Sequence, residues 1–194
     1  MIPNSESRPI NALFLSPRKE STSRAVAEIA LERLESESFE IHRIALRDYH
    51  VAPCNSCQVC YDGSPCPIGD DMDYFYRLLD SDSPLLIATP VYFYGLPANA
   101  KALVDRCQLF WARKYLLNRE MPGGKTAIIA VGGSGGKKLF SGIRLTLKYF
   151  LDTLSREMPP GLFFRNLENP GDIDAEIISK TREYAENFIE RLRE

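Results

Sequence analysis

The sequence predicts an α/β fold built on a five-stranded parallel sheet, forming one domain over residues 1–194. Three observations predict it. Short apolar runs alternate with segments of helical periodicity along the whole chain. Two of the runs, Leu85–Thr89 and Thr126–Val131, are apolar at nearly every position, as strands covered on both faces are. The loops richest in Ser, Gly and Pro follow strands one, three and four, the end of a parallel sheet where ligands bind.

The first unit is strand, loop, helix. Ile10–Leu15 is apolar and stops at Ser16-Pro17-Arg18-Lys19; Ser21, Thr22 and Ser23 then offer N-cap hydroxyls to a helix carrying Val26, Ile29, Ala30 and Leu34. A loop feeding a helix N-terminus presents free N–H groups and the positive end of the helix dipole. With Ser16, Arg18, Ser21, Thr22 and Ser23 it makes a candidate phosphate site, or simply a capped helix after a turn.

Phe39–Ile44 is the second strand, and Leu85–Thr89, Thr126–Val131 and Gly161–Phe164 are the others; Pro159-Pro160 places the last at a sheet edge. Asp70-Asp71-Met72-Asp73 puts acids in the first turn of a helix that buries Met72, Phe75, Tyr76 and Leu79. Lys101–Arg113 reads as one helix with Leu103, Cys107 and Phe110 inward, Cys107 being a core thiol. Helices with Phe140, Ile143, Leu147, Phe150 and Leu154, and with Ile173, Ile177, Tyr184, Phe188 and Leu192, complete the pattern.

Two more loops carry ligand-type composition. Pro90, Val91, Tyr92, Phe93, Tyr94 and Gly95 form a rigid aromatic stretch suited to a planar ligand, or a buried aromatic turn. Gly132, Gly133 and Ser134, followed by Gly135 and Gly136, allow close backbone approach. Gly124-Lys125-Thr126 precedes its strand and lacks the upstream glycine, so it is no phosphate-binding P-loop. In a flavodoxin-like three-layer sandwich of strand order 2-1-3-4-5, the loops after strands one, three and four meet at the switch point.

Four of the five cysteines fall in an inserted loop at about 46–69. Cys54, Cys57, Cys60 and Cys66 follow the spacing C-x2-C-x2-C-x5-C, with Pro67 next. Two-residue gaps let successive thiolates turn inward. Thiolate sets of this kind select iron–sulfur clusters or zinc, and the ladder resembles a ferredoxin run more than the paired cysteines of zinc sites. Free or redox thiols are the third reading. His42 and His50 lie outside the ligand-type stretches and read as surface or structural residues.

At 194 residues and 44% hydrophobic the chain has length for a core, and a net charge of −2 gives no basic footprint for nucleic acid. Met1–Pro9 is polar and mixed in charge, unlike a signal peptide, and the longest apolar runs are too short to cross a bilayer. A cytoplasmic protein is expected, with no membrane partner.

Taken together, these stretches resemble the iron–sulfur flavoproteins of the NADPH-dependent FMN reductase superfamily. The matching segments are Ser-Pro-Arg-Lys at 16–19, the cysteine motif with Pro53 before it, Asp-Asp-Met-Asp at 70–73, Pro-Val-Tyr at 90–92, Lys-Ala-Leu-Val-Asp-Arg at 101–106 and Gly-Gly-Ser at 132–134. The resemblance implies FMN, with its phosphate at Ser16, Arg18, Thr22 and Ser23, its ring along Pro90–Gly95, and Gly132–Ser134 closing the far side. It implies a [4Fe-4S] cluster on the four cysteines, and a homodimer or homotetramer in which one subunit's cluster loop nears a partner's flavin. Two departures stand out: Leu15 where the family usually has glycine, and Thr22 where it usually has asparagine, with Glu20 nearby. Weaker FMN retention is expected, with Glu20 facing solvent.

The function so implied is electron transfer between a ferredoxin or NAD(P)H donor and a small acceptor. The alternatives are an NAD(P)H-dependent FMN or quinone reductase whose cysteines hold zinc or no metal, and a non-catalytic redox carrier. No catalytic acid–base side chain is implied.

Overall fold

The computed structural model describes residues 8–194, so most of the N-terminal segment Met1–Pro9 lies outside the described residues. The strands are β1 (Ile10–Phe14), β2 (Ile41–Ala45), β3 (Leu85–Pro90), β4 (Thr126–Val131) and β5 (Leu162–Phe164). All pair in parallel in the order β2-β1-β3-β4-β5. Strand order and edge position of β5 follow the sequence-based expectation; the strand ends move by one or two residues.

Alternation along the central strands builds two cores. Leu13, Leu85, Ile87 and Ile128 face α2 (Met72–Leu79), α3 (Ala98–Arg106), α4 (Gln108–Trp111) and α5 (Ser141–Thr153). Ile10, Ala12, Phe14, Leu86, Ala88 and Ile129 face α1 (Thr22–Ser36) and α6 (Ala175–Arg193). Helices therefore cover both faces, which explains the unbroken apolar runs.

The expected single helix over Lys101–Arg113 is interrupted. α3 stops at Arg106, the Cys107 N–H is shared between the Leu103 and Val104 carbonyls, and α4 passes into a π-helical turn over Ala112–Leu116. The overwound turn keeps Cys107 and Phe110 in the core, as expected. It also lets Arg106 and Gln108 face the cysteine loop.

α5 crosses close beneath the aromatic loop. A Cβ at Gly142 would lie 2.3 Å from the Tyr94 carbonyl oxygen, a backbone atom that cannot turn away. Gly142→Ala is therefore expected to destabilise the fold by about 1–3 kcal/mol through overpacking. A thermal melt reads this as a fall of several degrees, and an unchanged Tm contradicts the contact.

Candidate cofactor sites

The first site forms where the loops after β1, β3 and β4 converge. Val91 N–H donates to the Val131 carbonyl, Gly132 N–H to the Phe164 carbonyl, and Leu167 N–H to the Gly132 carbonyl, at 2.9, 2.9 and 3.2 Å. These bonds tie the loops together beyond the strand ends. Between them lies a cavity of about 170 Å³. Ser16, Arg18, Ser21, Thr22, Ser23, Pro90, Val91, Tyr92, Gly132 and Gly133 line it, joined by Val131, Leu167 and Glu168. Phe93, Tyr94, Gly95 and Ser134 lie outside that lining. Tyr92 and Gly95 bond each other across a tight turn whose tip, Phe93, is fully exposed, with positive φ at Phe93 and Tyr94.

The corner where a phosphate is expected is built mainly from backbone. Ser21 caps α1, its hydroxyl accepting from Arg24 N–H at 3.3 Å, which leaves the Thr22 and Ser23 amides as first-turn donors without an intrahelical acceptor. The Ser16 hydroxyl accepts from Arg18 N–H at 3.1 Å, and Arg47 steadies the loop by donating to the Arg18 carbonyl at 3.0 Å. Thr22, expected to donate its hydroxyl to a phosphate, lines the cavity with that hydroxyl already engaged. Its Oγ1 proton goes to the Glu168 carbonyl at 2.6 Å, so the side chain ties α1 to the loop after β5. Leu15 is buried in the core beneath the loop, and Glu20 is exposed and outside the cavity lining. Neither occupies the site. Glu168 and Arg47 were not legible as site residues, because each acts through a loop distant in sequence.

The second site is the cysteine loop. Its mouth is closed by Asp70 and Asp71. Asp71 accepts from His50 N–H at 2.6 Å, and the Asp71 N–H returns a bond to the His50 carbonyl at 3.0 Å. Asp70 accepts from Ala52 N–H at 2.8 Å, from Met72 N–H at 3.0 Å and from both Nη atoms of Arg106 at 2.7 and 3.2 Å. Asp70 still accepts from the first helical N–H at Met72 and Asp73 lies in the first turn, as expected; fastening the loop is an added role of Asp70 and Asp71.

Burial alone would raise the Asp70 carboxyl, but Arg106 and the two amides outweigh it and hold the group below the usual carboxylate range. Inside the loop, Ser56 N–H approaches Cys54 Sγ at 3.4 Å, and Ser56 and Gln58 take left-handed backbone conformations that turn the ladder inward.

Cys54, Cys57, Cys60 and Cys66 all line one chamber, whose wall includes Tyr61, Tyr76, Arg106 and Gln108. All five cysteines are free thiols. Burial, and then the neighbouring cysteines, push the Cys60 thiol up. Among the described residues no group of three or more His, Cys, Asp or Glu side chains meets at a single metal-ion point. His42 and His50 are exposed, as expected, and the two chambers share no lining residue.

No helix among the described residues is long and apolar enough to cross a membrane. The fold is shared with an NAD(P)H:quinone oxidoreductase from Methanothermobacter marburgensis (TM-score 0.69, 18% identity, covering 93% of this chain and 96% of that one). It is also shared with the oxidised flavodoxin 2 of Bacillus cereus (TM-score 0.61, 16% identity, 95% and 99% covered). Sequence relatives are nearer. A protein called iron-sulfur flavoprotein from Archaeoglobus fulgidus is 38% identical over 126 residues, 64% of this chain and 63% of that one. Another of that name from Methanosarcina thermophila is 34% identical over 131 residues, 66% of each. The chain thus matches slightly less than two thirds of the length of these curated relatives. The family model for NADPH-dependent FMN reductase matches residues 10–155, which hold the phosphate corner, the cysteine loop and the glycine loop. The chain belongs to the NADPH-dependent FMN reductase family, alongside the proteins called iron-sulfur flavoproteins.

Proposed function

We propose that this chain is an FMN-dependent oxidoreductase that also carries a [4Fe-4S] cluster, passing electrons between a ferredoxin or NAD(P)H donor and a small acceptor in the cytoplasm. One observation carries the reading: four cysteines spread over residues 54–66 line one chamber within a fold whose switch point holds a separate opening of about 170 Å³. The donor chemistry fits a cluster. A single zinc ion needs its sulfurs about 2.3 Å from one point, whereas a cluster accepts four thiolates around its corners. The fit at the switch point is also favourable, with first-turn amides, the Ser16 hydroxyl and Arg18 for a phosphate, and Pro90, Val91 and Tyr92 along the opening.

Bound there, FMN supplies hydride and single-electron transfer, and the cluster single-electron transfer. The chain's own part is to hold and orient. Ser23 and Arg18 fix the phosphate end, Val91 and Gly132 set the width of the opening, and Cys54, Cys57, Cys60 and Cys66 ligate. A second copy of this chain is the partner we assign, as the resemblance implies, and the exposed aromatic tip at Phe93 and Tyr94 is the surface it would cover.

The test is an anaerobic preparation analysed for flavin, iron, sulfide and zinc. Iron and sulfide near four per chain, with bound FMN, are expected. Cys60→Ser should abolish most of the iron and leave flavin content unchanged, because the two chambers share no residue. FMN with zinc or without metal would instead make the protein an NAD(P)H-dependent FMN or quinone reductase with a structural cysteine loop.

A further inference from the structure

Arg106 is the one charged side chain in the wall of the cysteine chamber, and it is completely buried. Its guanidinium reaches both ends of the loop at once. Nη1 donates to the Ala52 carbonyl at 3.0 Å, just before the cysteine run, and Nη2 to the Ile68 carbonyl at 3.1 Å, just after it. Asp70 takes the remaining Nη bonds from outside the chamber lining. One donor is left over: the Arg106 Nε–H is buried with no partner among the described residues. Arg113 and Arg156 also bury an unpartnered Nε–H, but only Arg106 does so in the wall of the cysteine chamber. A buried N–H without an acceptor costs about 1–3 kcal/mol, and a group seated in the chamber that accepted it would remove that cost. Tyr76, also in the wall, spends its hydroxyl on the Arg106 carbonyl at 3.0 Å and fixes the backbone from which the arginine departs.

We propose that Arg106 is the positioning and tuning residue of the cysteine chamber: it clamps the loop by Ala52 and Ile68 before any cluster is present, and it presents the positive end of the Arg106–Asp70 pair to the cluster site. The tuning half rests on the cluster reading above; the clamp does not. The sign follows from the orientation. The cation lines the chamber and its counter-ion stands behind it, so the local field favours the more negative, reduced state of any group inside. The spare Nε–H would act the same way if a group in the chamber accepted it, since donors to cluster and ligand sulfurs raise the reduction potential.

Lysine and glutamine variants separate the two halves. In metal-free full-length protein, Arg106→Lys and Arg106→Gln should both speed amide hydrogen exchange at Ala52 and across the cysteine run at least tenfold, because neither can hold Ala52, Ile68 and Asp70 together. In anaerobically reconstituted protein, Arg106→Gln should shift the cluster's one-electron reduction equilibrium at least tenfold toward the oxidised state, a fall of about 59 mV. Arg106→Lys keeps the charge and should stay within threefold of the parent. The flavin midpoint, read in the same titration, should not move in either variant. Unchanged exchange in Arg106→Lys overturns the clamp, and an unchanged cluster midpoint in Arg106→Gln overturns the tuning. If Arg106→Gln fails to fold, a lysine variant whose cluster midpoint falls as a lost charge would make it fall overturns the tuning in its place. Parent protein that takes up no iron or sulfide removes the cluster reading and the tuning with it, while the exchange measurement still decides the clamp.

Discussion

Replacing Asp70 with asparagine is expected to lower folding stability by about 3–5 kcal/mol, the cost of leaving one partner of a buried ion pair uncompensated. The Asp70 side chain is 3% exposed and that of Arg106 is fully buried, so solvent cannot take over the lost charge. At about 2–4 °C per kcal/mol for a chain of this size, the melting temperature should fall by about 6–20 °C. Adding Arg106→Gln to Asp70→Asn should recover part of the loss, since the double variant no longer buries an unpaired charge. A double variant whose loss equals the sum of the two single losses would mean that the two residues do not act as a pair.

The same pair sets an acid limit. Asp70 titrates below its unfolded value of about 3.9, so its contribution is complete above that pH and disappears as the pH falls through the folded value. Denaturant melts of the parent protein should therefore lose stability below about pH 4 more steeply than those of Asp70→Asn, which has no carboxylate to protonate there. Curves that remain parallel down to pH 3 would contradict the assignment.

Much of the fold is legible in the chain because its physical signals are local. The runs Leu85–Thr89 and Thr126–Val131 are apolar on both faces because helices cover both faces, and Ser21 caps α1 as its sequence position implies. The four cysteines are legible for a similar reason: their spacing already holds the turns that gather them. What escapes local reading is charge used at a distance. Arg106 sits 36 residues from Asp70 and looks, in a helical repeat, like one more solvated base. Its helix looks continuous through Lys101–Arg113, since apolar spacing does not register the break at Cys107 that aims Arg106 and Gln108 at the loop. Thr22 has the composition of a phosphate ligand, and only the arrival of Glu168 from beyond β5 shows where its proton goes.

Under the proposed FMN assignment, that last detail shifts the burden of phosphate binding onto Arg18, Ser23 and the first-turn amides of α1, and it sets the size of the remaining effect. Arg18→Ala combined with Ser23→Ala is expected to weaken FMN binding by about 2–4 kcal/mol, given about 1.5–3 kcal/mol for a hydrogen bond to a charged group and a discount for the exposure of Arg18. This corresponds to roughly 30- to 700-fold in Kd. Riboflavin lacks the phosphate and makes no use of those groups, so its affinity should change by less than about threefold, under 0.7 kcal/mol. Fluorescence titrations of both flavins against parent and variant give the comparison directly. Thr22→Val is the internal control: it removes a hydroxyl already committed to the Glu168 carbonyl, so it should loosen the α1–β5 loop contact and affect both flavins alike. A selective loss of FMN in Thr22→Val, with none in the Arg18 and Ser23 double variant, would return the phosphate to the threonine hydroxyl and move the anion site away from the helix amides.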